Sequence, residues 1–182
     1  MALHTLSVLV ENSPGVLARV ASLFSRRGYN IDSLAVGPTE NPTISRMTIV
    51  LNLEGHALDQ VSAQLFKLVN VIGISEMTEE SSLQRELLLV KVKKHGDIAR
   101  TIEPFAAHIS DESHDTVTIE AVGTKAQLES LLATLQKFGI KELVQSGLIA
   151  LERGSVTLAD RTLSTSGVAI SDPESATADY QN

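Results

Sequence analysis

A chain of 182 residues with 43% hydrophobic residues, 20% charged residues and no cysteine has room for one or two compact cores. It lacks the chemistry of disulfides, thiolate metal sites and cysteine nucleophiles. A formal charge of -7 argues against a nucleic-acid backbone as partner, and 3% aromatic residues without Trp leave few surfaces on which bases or sugars stack.

Residues 1–5 carry no basic region followed by an apolar core, and no apolar run reaches the roughly 20 residues of a membrane span. The expectation is a cytoplasmic chain with no membrane and no nucleic-acid partner. The basic clusters Arg26-Arg27 and Lys91 to Lys94 read as solvated helix or loop ends.

In chain order, Leu6, Val8 and Val10 alternate as on one face of a strand over residues 5–10. Val16, Val20, Leu23 and Phe24 then recur at helical spacing, predicting a helix from about Pro14 to Arg27 with Gly28 as its left-handed stop. A second strand runs from Tyr29-Asn30 through Ile31, Leu34 and Val36 to Gly37-Pro38, and residues 39–43 form a loop. Alternation over residues 46–53 gives a half-buried strand. Leu58, Val61, Leu65 and Leu68 mark a helix, and residues 71–77 a fourth strand. Strand, helix, strand, strand, helix, strand is the ferredoxin-like order, with two helices on one face of an antiparallel sheet.

Residues 78–84 are polar and aperiodic, so the domain boundary falls there. The pattern then recurs: a strand at 86–92, a short helix at 98–107 interrupted by Pro104, and an extended segment from Ser110-Asp111. A strand at 116–122, a helix through Leu128, Leu131, Leu132 and Leu135 that stops at Gly139, and a last strand at 144–151 complete it. The expected fold class is therefore α+β, two consecutive βαββαβ domains at 3–78 and 85–154. Residues 155–182, rich in Ser, Thr, Ala and Asp, read as a disordered tail.

The turn Glu11-Asn12-Ser13-Pro14-Gly15-Val16-Leu17 joins the first strand to the first helix. It presents a helix N-terminus, whose unpaired N–H groups and partial positive charge suit a carboxylate or phosphate. Gly15 lets a ligand approach the backbone, Asn12 adds an amide that donates and accepts, and Asn12 or Ser13 is the expected cap. The second copy has Lys93-Lys94-His95-Gly96-Asp97 at the matching place, so it is not expected to hold the same ligand in the same way.

No catalytic constellation accompanies this turn. His4, His56, His95, His108 and His114 fall into no metal-ligand spacing, and no Walker loop, dinucleotide fingerprint or nucleophile elbow occurs. Gly15-Val16 followed by Arg19 resembles the acylphosphatase turn, with Asn30 as a water-positioning amide. That family's turn is richer in glycine and glutamine, and here Arg19 lies one turn into the helix.

A broader resemblance covers about residues 3–154. The runs Leu6-Ser7-Val8-Leu9-Val10-Glu11-Asn12, Pro14-Gly15-Val16-Leu17-Ala18-Arg19-Val20, Phe24-Ser25-Arg26-Arg27-Gly28-Tyr29-Asn30-Ile31 and Ser45-Arg46-Met47-Thr48-Ile49 resemble the small regulatory subunits of acetohydroxyacid (acetolactate) synthase. Arg85-Glu86-Leu87-Leu88-Leu89-Val90-Lys91-Val92 and Glu142-Leu143-Val144-Gln145-Ser146-Gly147 are similar to that family's second domain.

The resemblance implies an ACT domain followed by an ACT-like domain in a protein that is not an enzyme. It further implies a homodimer through the ACT domain, partnership with the catalytic subunit, and feedback inhibition by valine or another branched-chain amino acid. Thiamine diphosphate, Mg and FAD would belong to that catalytic partner, with no cofactor or metal on this chain. By motif match, Asn12, Pro14, Gly15, Val16 and Leu17 of one chain would face Asn30 and Ile31 of the other across an effector site. A stand-alone ACT-type amino-acid sensor acting on another enzyme or on transcription is the alternative from a different class.

Overall fold

The computed structural model describes residues 2–54 and 57–166. Its elements are β1 (Ala2–Glu11), α1 (Val16–Arg26), β2 (Ile31–Pro38), β3 (Ile44–Leu53), α2 (Ala57–Leu65) and β4 (Val71–Glu76), then β5 (Ser82–Lys93), α3 (Ile98–Ile102), β6 (His108–Glu112), β7 (Thr116–Gly123), α4 (Lys125–Leu135), β8 (Ile140–Gln145), β9 (Ile149–Glu152) and α5 (Leu158–Ser166). The first sheet is four-stranded in the order β2-β3-β1-β4 and the second runs β6-β7-β5-β8, with β9 also on β5. The pairs β1–β3, β1–β4, β2–β3, β5–β7, β5–β8 and β6–β7 are antiparallel. Both βαββαβ units expected from the periodicity are present.

Each unit has its own core. In the first, Leu6, Val8 and Val10 of β1 and Met47, Ile49, Leu51 and Leu53 of β3 meet Val16, Val20, Leu23 and Phe24 of α1 and Val61 and Leu65 of α2. Burying such aliphatic side chains contributes about 1.5–3 kcal/mol each against exposure. In the second, Leu88, Val90 and Val92 pack with Ile98, Ile102, Ile119, Leu128, Leu131 and Leu135. The helix α4 is fixed at its start by a capping box, in which Thr124 accepts from the Gln127 N–H and the Gln127 side chain accepts from the Thr124 N–H.

Pro104 interrupts the second unit's first helix as expected. The α-helix ends at Ile102, a 3₁₀ turn over Glu103–Phe105 carries the proline, and Ala106 leaves it at φ 52°.

The chain's last third departs from the sequence reading. The single strand expected at 144–151 is two strands, β8 and β9, separated by 146–148. One compact unit runs from Leu83 to Ala150, and the other joins the chain up to Ser82 with the chain from Leu151 onward. Residues 155–182 were expected to be disordered, yet α5 forms within them and packs on β4 of the first unit. Its start is capped: Asp160 Oδ2 accepts from the Thr157 N–H and hydroxyl, and Thr157 Oγ1 accepts from the Asp160 N–H. The short Thr-x-x-Asp signal is weak in the sequence because the apolar period around it is brief, with Leu158 the buried residue that anchors the helix at 4% exposure. The rest of the expected tail, 167–182, and His56 lie outside the described residues.

Candidate functional site: the turn between β1 and α1

Strand β1 ends at Glu11, and α1 begins at Val16 after a turn closed by hydrogen bonds from Ser13 N–H to Glu11 O (3.0 Å) and from Val16 N–H to Ser13 O (3.4 Å). Gly15, not Asn12 or Ser13, is the N-cap residue. It sits at φ 84°, and no side chain caps the helix. The first-turn N–H groups have no intrahelical acceptors, and the macrodipole places partial positive charge beside them. A Cβ built on Gly15 meets nothing within 4 Å, so there is open space beside the cap residue.

The cap differs from expectation because the Asn12 amide has another partner. Asn12 Nδ2 donates to Pro42 O at 2.8 Å and its backbone N–H to Thr43 O at 2.7 Å, pinning the turn to the β2–β3 loop. That loop is itself ordered by Asn41, whose Oδ1 accepts from the Thr43 N–H at 3.0 Å and hydroxyl at 2.7 Å.

Of the other expected site residues, Pro14 and Leu17 are exposed, Leu17 by 42%, whereas Val16 is 3% exposed and part of the core. Asn30 is exposed and its Nδ2 donates to Asp32 Oδ1 at 2.8 Å; Ile31 is half-buried against the core. These two residues do not meet the turn within one chain. Ile31 pairs with Leu51, which also pairs with His4, while Glu11 pairs with Ile44. The turn and Asn30-Ile31 therefore lie at opposite ends of the sheet and of α1, an 11-residue helix about 16 Å long at 1.5 Å per residue.

Asn70 is a residue that sequence reasoning missed. Its Oδ1 accepts from Arg19 Nη1 at 2.6 Å, its Nδ2 donates to Glu11 Oε2, and its carbonyl accepts from the Glu11 N–H at 2.9 Å. It ties the end of β1 and the first turn of α1 to the start of β4. A lone Asn before a strand carries no sequence signal for this; only the β1–β4 pairing brings it to the turn. Arg19 is thereby directed to Asn70, and Asn30 to Asp32, which leaves the acylphosphatase comparison without its anion cradle.

Elsewhere, an open cleft of about 560 Å³ beside α3 is lined by Ala99, Arg100, Ile102, Glu103, Ala107, His108 and Ile109. His108 Nε2 lies 3.6 Å from Glu120 Oε2, which also accepts from the Ser110 hydroxyl at 2.9 Å. Among the described residues, no group of His, Asp or Glu is placed to hold a metal ion, and no helix is long and apolar enough to cross a membrane.

Comparison with known proteins agrees with this architecture. The family described as AHAS small subunit-like ACT domain matches residues 6–73, and that described as small subunit of acetolactate synthase matches residues 85–154. The acetolactate synthase small subunit of Mycolicibacterium smegmatis is 53% identical over 155 residues, covering 83% of this chain and 91% of its own length. The probable acetolactate synthase small subunit of Archaeoglobus fulgidus is 47% identical over 156 residues, covering 84% and 98%. The crystal structure of the acetolactate synthase small subunit from Thermotoga maritima superposes with a TM-score of 0.80 at 33% identity, covering 86% of this chain and 100% of that one. With both domains matched in order and half the residues shared over most of its length, the chain belongs to the acetolactate synthase small-subunit family.

Proposed function

We propose that this chain is the regulatory subunit of an acetolactate synthase that activates the catalytic subunit and makes it sensitive to valine or another branched-chain amino acid. As a member of the small-subunit family the chain is regulatory and not itself catalytic. Thiamine diphosphate, Mg and FAD belong on the catalytic partner in this reading, and the assembly works in the cytoplasm.

The observation that carries the effector site is the uncapped N-terminus of α1, opened by Gly15 at φ 84° with open space beside it. An amino acid matches it: the carboxylate faces the helix N–H groups, the ammonium faces amide and carbonyl oxygens, and the branched side chain lies against exposed Leu17. The distance between the turn and Asn30-Ile31 supports a site shared by two chains. An antiparallel pair of protomers sets the start of one α1 beside the end of the other, so Asn30 and Ile31 of the second chain complete the site. The effector then bridges the dimer, favours one arrangement of it, and shifts the catalytic subunit by differential binding.

The experiment is reconstitution with the catalytic subunit. Mixing is expected to raise acetolactate synthase activity, and valine to lower it. Gly15→Asp puts a carboxylate at the helix start and abolishes valine sensitivity while activation persists. A variant as valine-sensitive as the wild type would show that the site lies elsewhere. Asn30→His is expected to weaken effector binding in calorimetry, and unchanged affinity would remove Asn30 from the site.

A further inference from the structure

The first sheet has two faces, and only one is covered by α1 and α2. Leu6, Val8 and Val10 point into that core. By alternation Ser7 and Leu9 point the other way, and so do their partners Ser75 and Gly73 on β4. The helix α5 lies on this outer face. A Cβ on Gly73 would stand 3.3 Å from Thr162 Cγ2 and closer still to Thr162 Oγ1, so the absence of a side chain at Gly73 is what lets the helix approach. Arg161 Nη2 reaches Ser75 Oγ at 3.3 Å and also pairs with Glu152, while the Arg153 N–H donates to Ser81 O at 2.9 Å. The returning chain is thus fastened to the first unit before α5 begins and along its first turns.

Where α5 sits on β4 is telling. The β1–β4 register shifts between Leu9, paired with Gly73, and Val10, paired with Val71, so Ile72 is an extra residue on β4. Such a bulge locally weakens the ladder and bends the strand. Two residues before Ile72 stands Asn70, which holds Glu11 and Arg19 at the turn. The same short segment therefore touches α5 on the outer face and the effector turn at its end.

We propose that α5 is a built-in strap that holds the β4 bulge in register and, through Asn70, sets the geometry of the turn before α1. Its functional consequence rests on the effector reading given above: loosening α5 weakens effector binding without touching any residue of the site.

The test compares full-length wild type with Gly73→Val and Leu158→Asp. Valine is a good strand residue, and the three atoms nearest its Cβ at position 73 would all belong to Thr162 of α5, so Gly73→Val strikes α5 first; Leu158→Asp releases α5 while leaving the sequence of β4 unchanged. Hydrogen exchange at the amides of residues 71–75 and at the Glu11 N–H is expected to quicken about tenfold in both, with Val90 and Ile119 of the second unit unchanged. Valine affinity in calorimetry is expected to fall about fivefold. Unchanged exchange in Leu158→Asp would overturn the strap, and quickened exchange with unchanged valine affinity would overturn its coupling to the turn. Where wild type itself takes up none of valine, leucine and isoleucine, the effector reading falls, and exchange at the Glu11 N–H decides the strap alone.

Discussion

The turn before α1 depends on two residues with different duties. Gly15 is needed for its backbone: at φ 84° any other residue is strained, though Asp bears this region better than most. Asn70 is needed for its side chain, which holds Arg19 and Glu11 at once. Replacing Asn70 by Ala removes exposed hydrogen bonds and is expected to cost about 1 kcal/mol of stability. Its larger effect should be on the turn, seen as altered chemical shifts at Glu11, Gly15 and Arg19 and as weaker valine binding. Asn70→Asp keeps an acceptor for Arg19 but faces Glu11 with like charge, so it is expected to rescue less than half of the lost affinity. Full affinity in both variants would reduce Asn70 to a surface contact. The part of Gly15 is legible in the sequence, whereas that of Asn70 is not, since Asn70 lies 59 residues from Glu11 and meets it only through strand pairing.

Among the elements, α5 is the one whose presence most changes the reading of the chain. Its N-terminal cap makes it sensitive to acid. The Asp160 carboxyl is held below the ordinary aspartate value, first by the Thr157 hydroxyl and then by the Thr157 N–H. The charged form is the one bound in the folded chain. Its contribution is complete above the ordinary value, about 4, and is lost as pH falls through the lowered one. Amide resonances of Thr157 and Asp160 are expected to titrate with a midpoint below that of an unstructured aspartate, and Asp160→Asn to flatten the response. A midpoint at or above the ordinary value would contradict the cap. The opening turn is the contrasting case. Its strand and helix were readable from two periods of apolar residues, but its cap was misplaced, because a choice among Asn12, Ser13 and Gly15 is settled by the β2–β3 loop that takes the Asn12 amide.

At the scale of the whole molecule, two separate cores predict two separable responses. Leu65 and Leu131 are each fully buried, one in each core. Truncating either to Ala is expected to cost about 2–5 kcal/mol of the stability of its own unit. Hydrogen exchange should then quicken at Val8 and Ile49 for Leu65→Ala, and at Val90 and Ile119 for Leu131→Ala; equal quickening of both sets would show one cooperative unit. The sequence by itself determined the repeated βαββαβ order, the apolar faces of nearly every element and the position of the strand-to-helix turn at residues 12–15. These follow from local periodicity and from backbone demands that only a few residue types meet. Only the tertiary structure decided that the chain returns from the second unit to pack a helix on β4 of the first sheet. It alone brought Asn70 to the turn and gave the Asn12 amide to the β2–β3 loop. Such facts arise from pairing between residues far apart in the chain, where no local pattern of side chains records the partner.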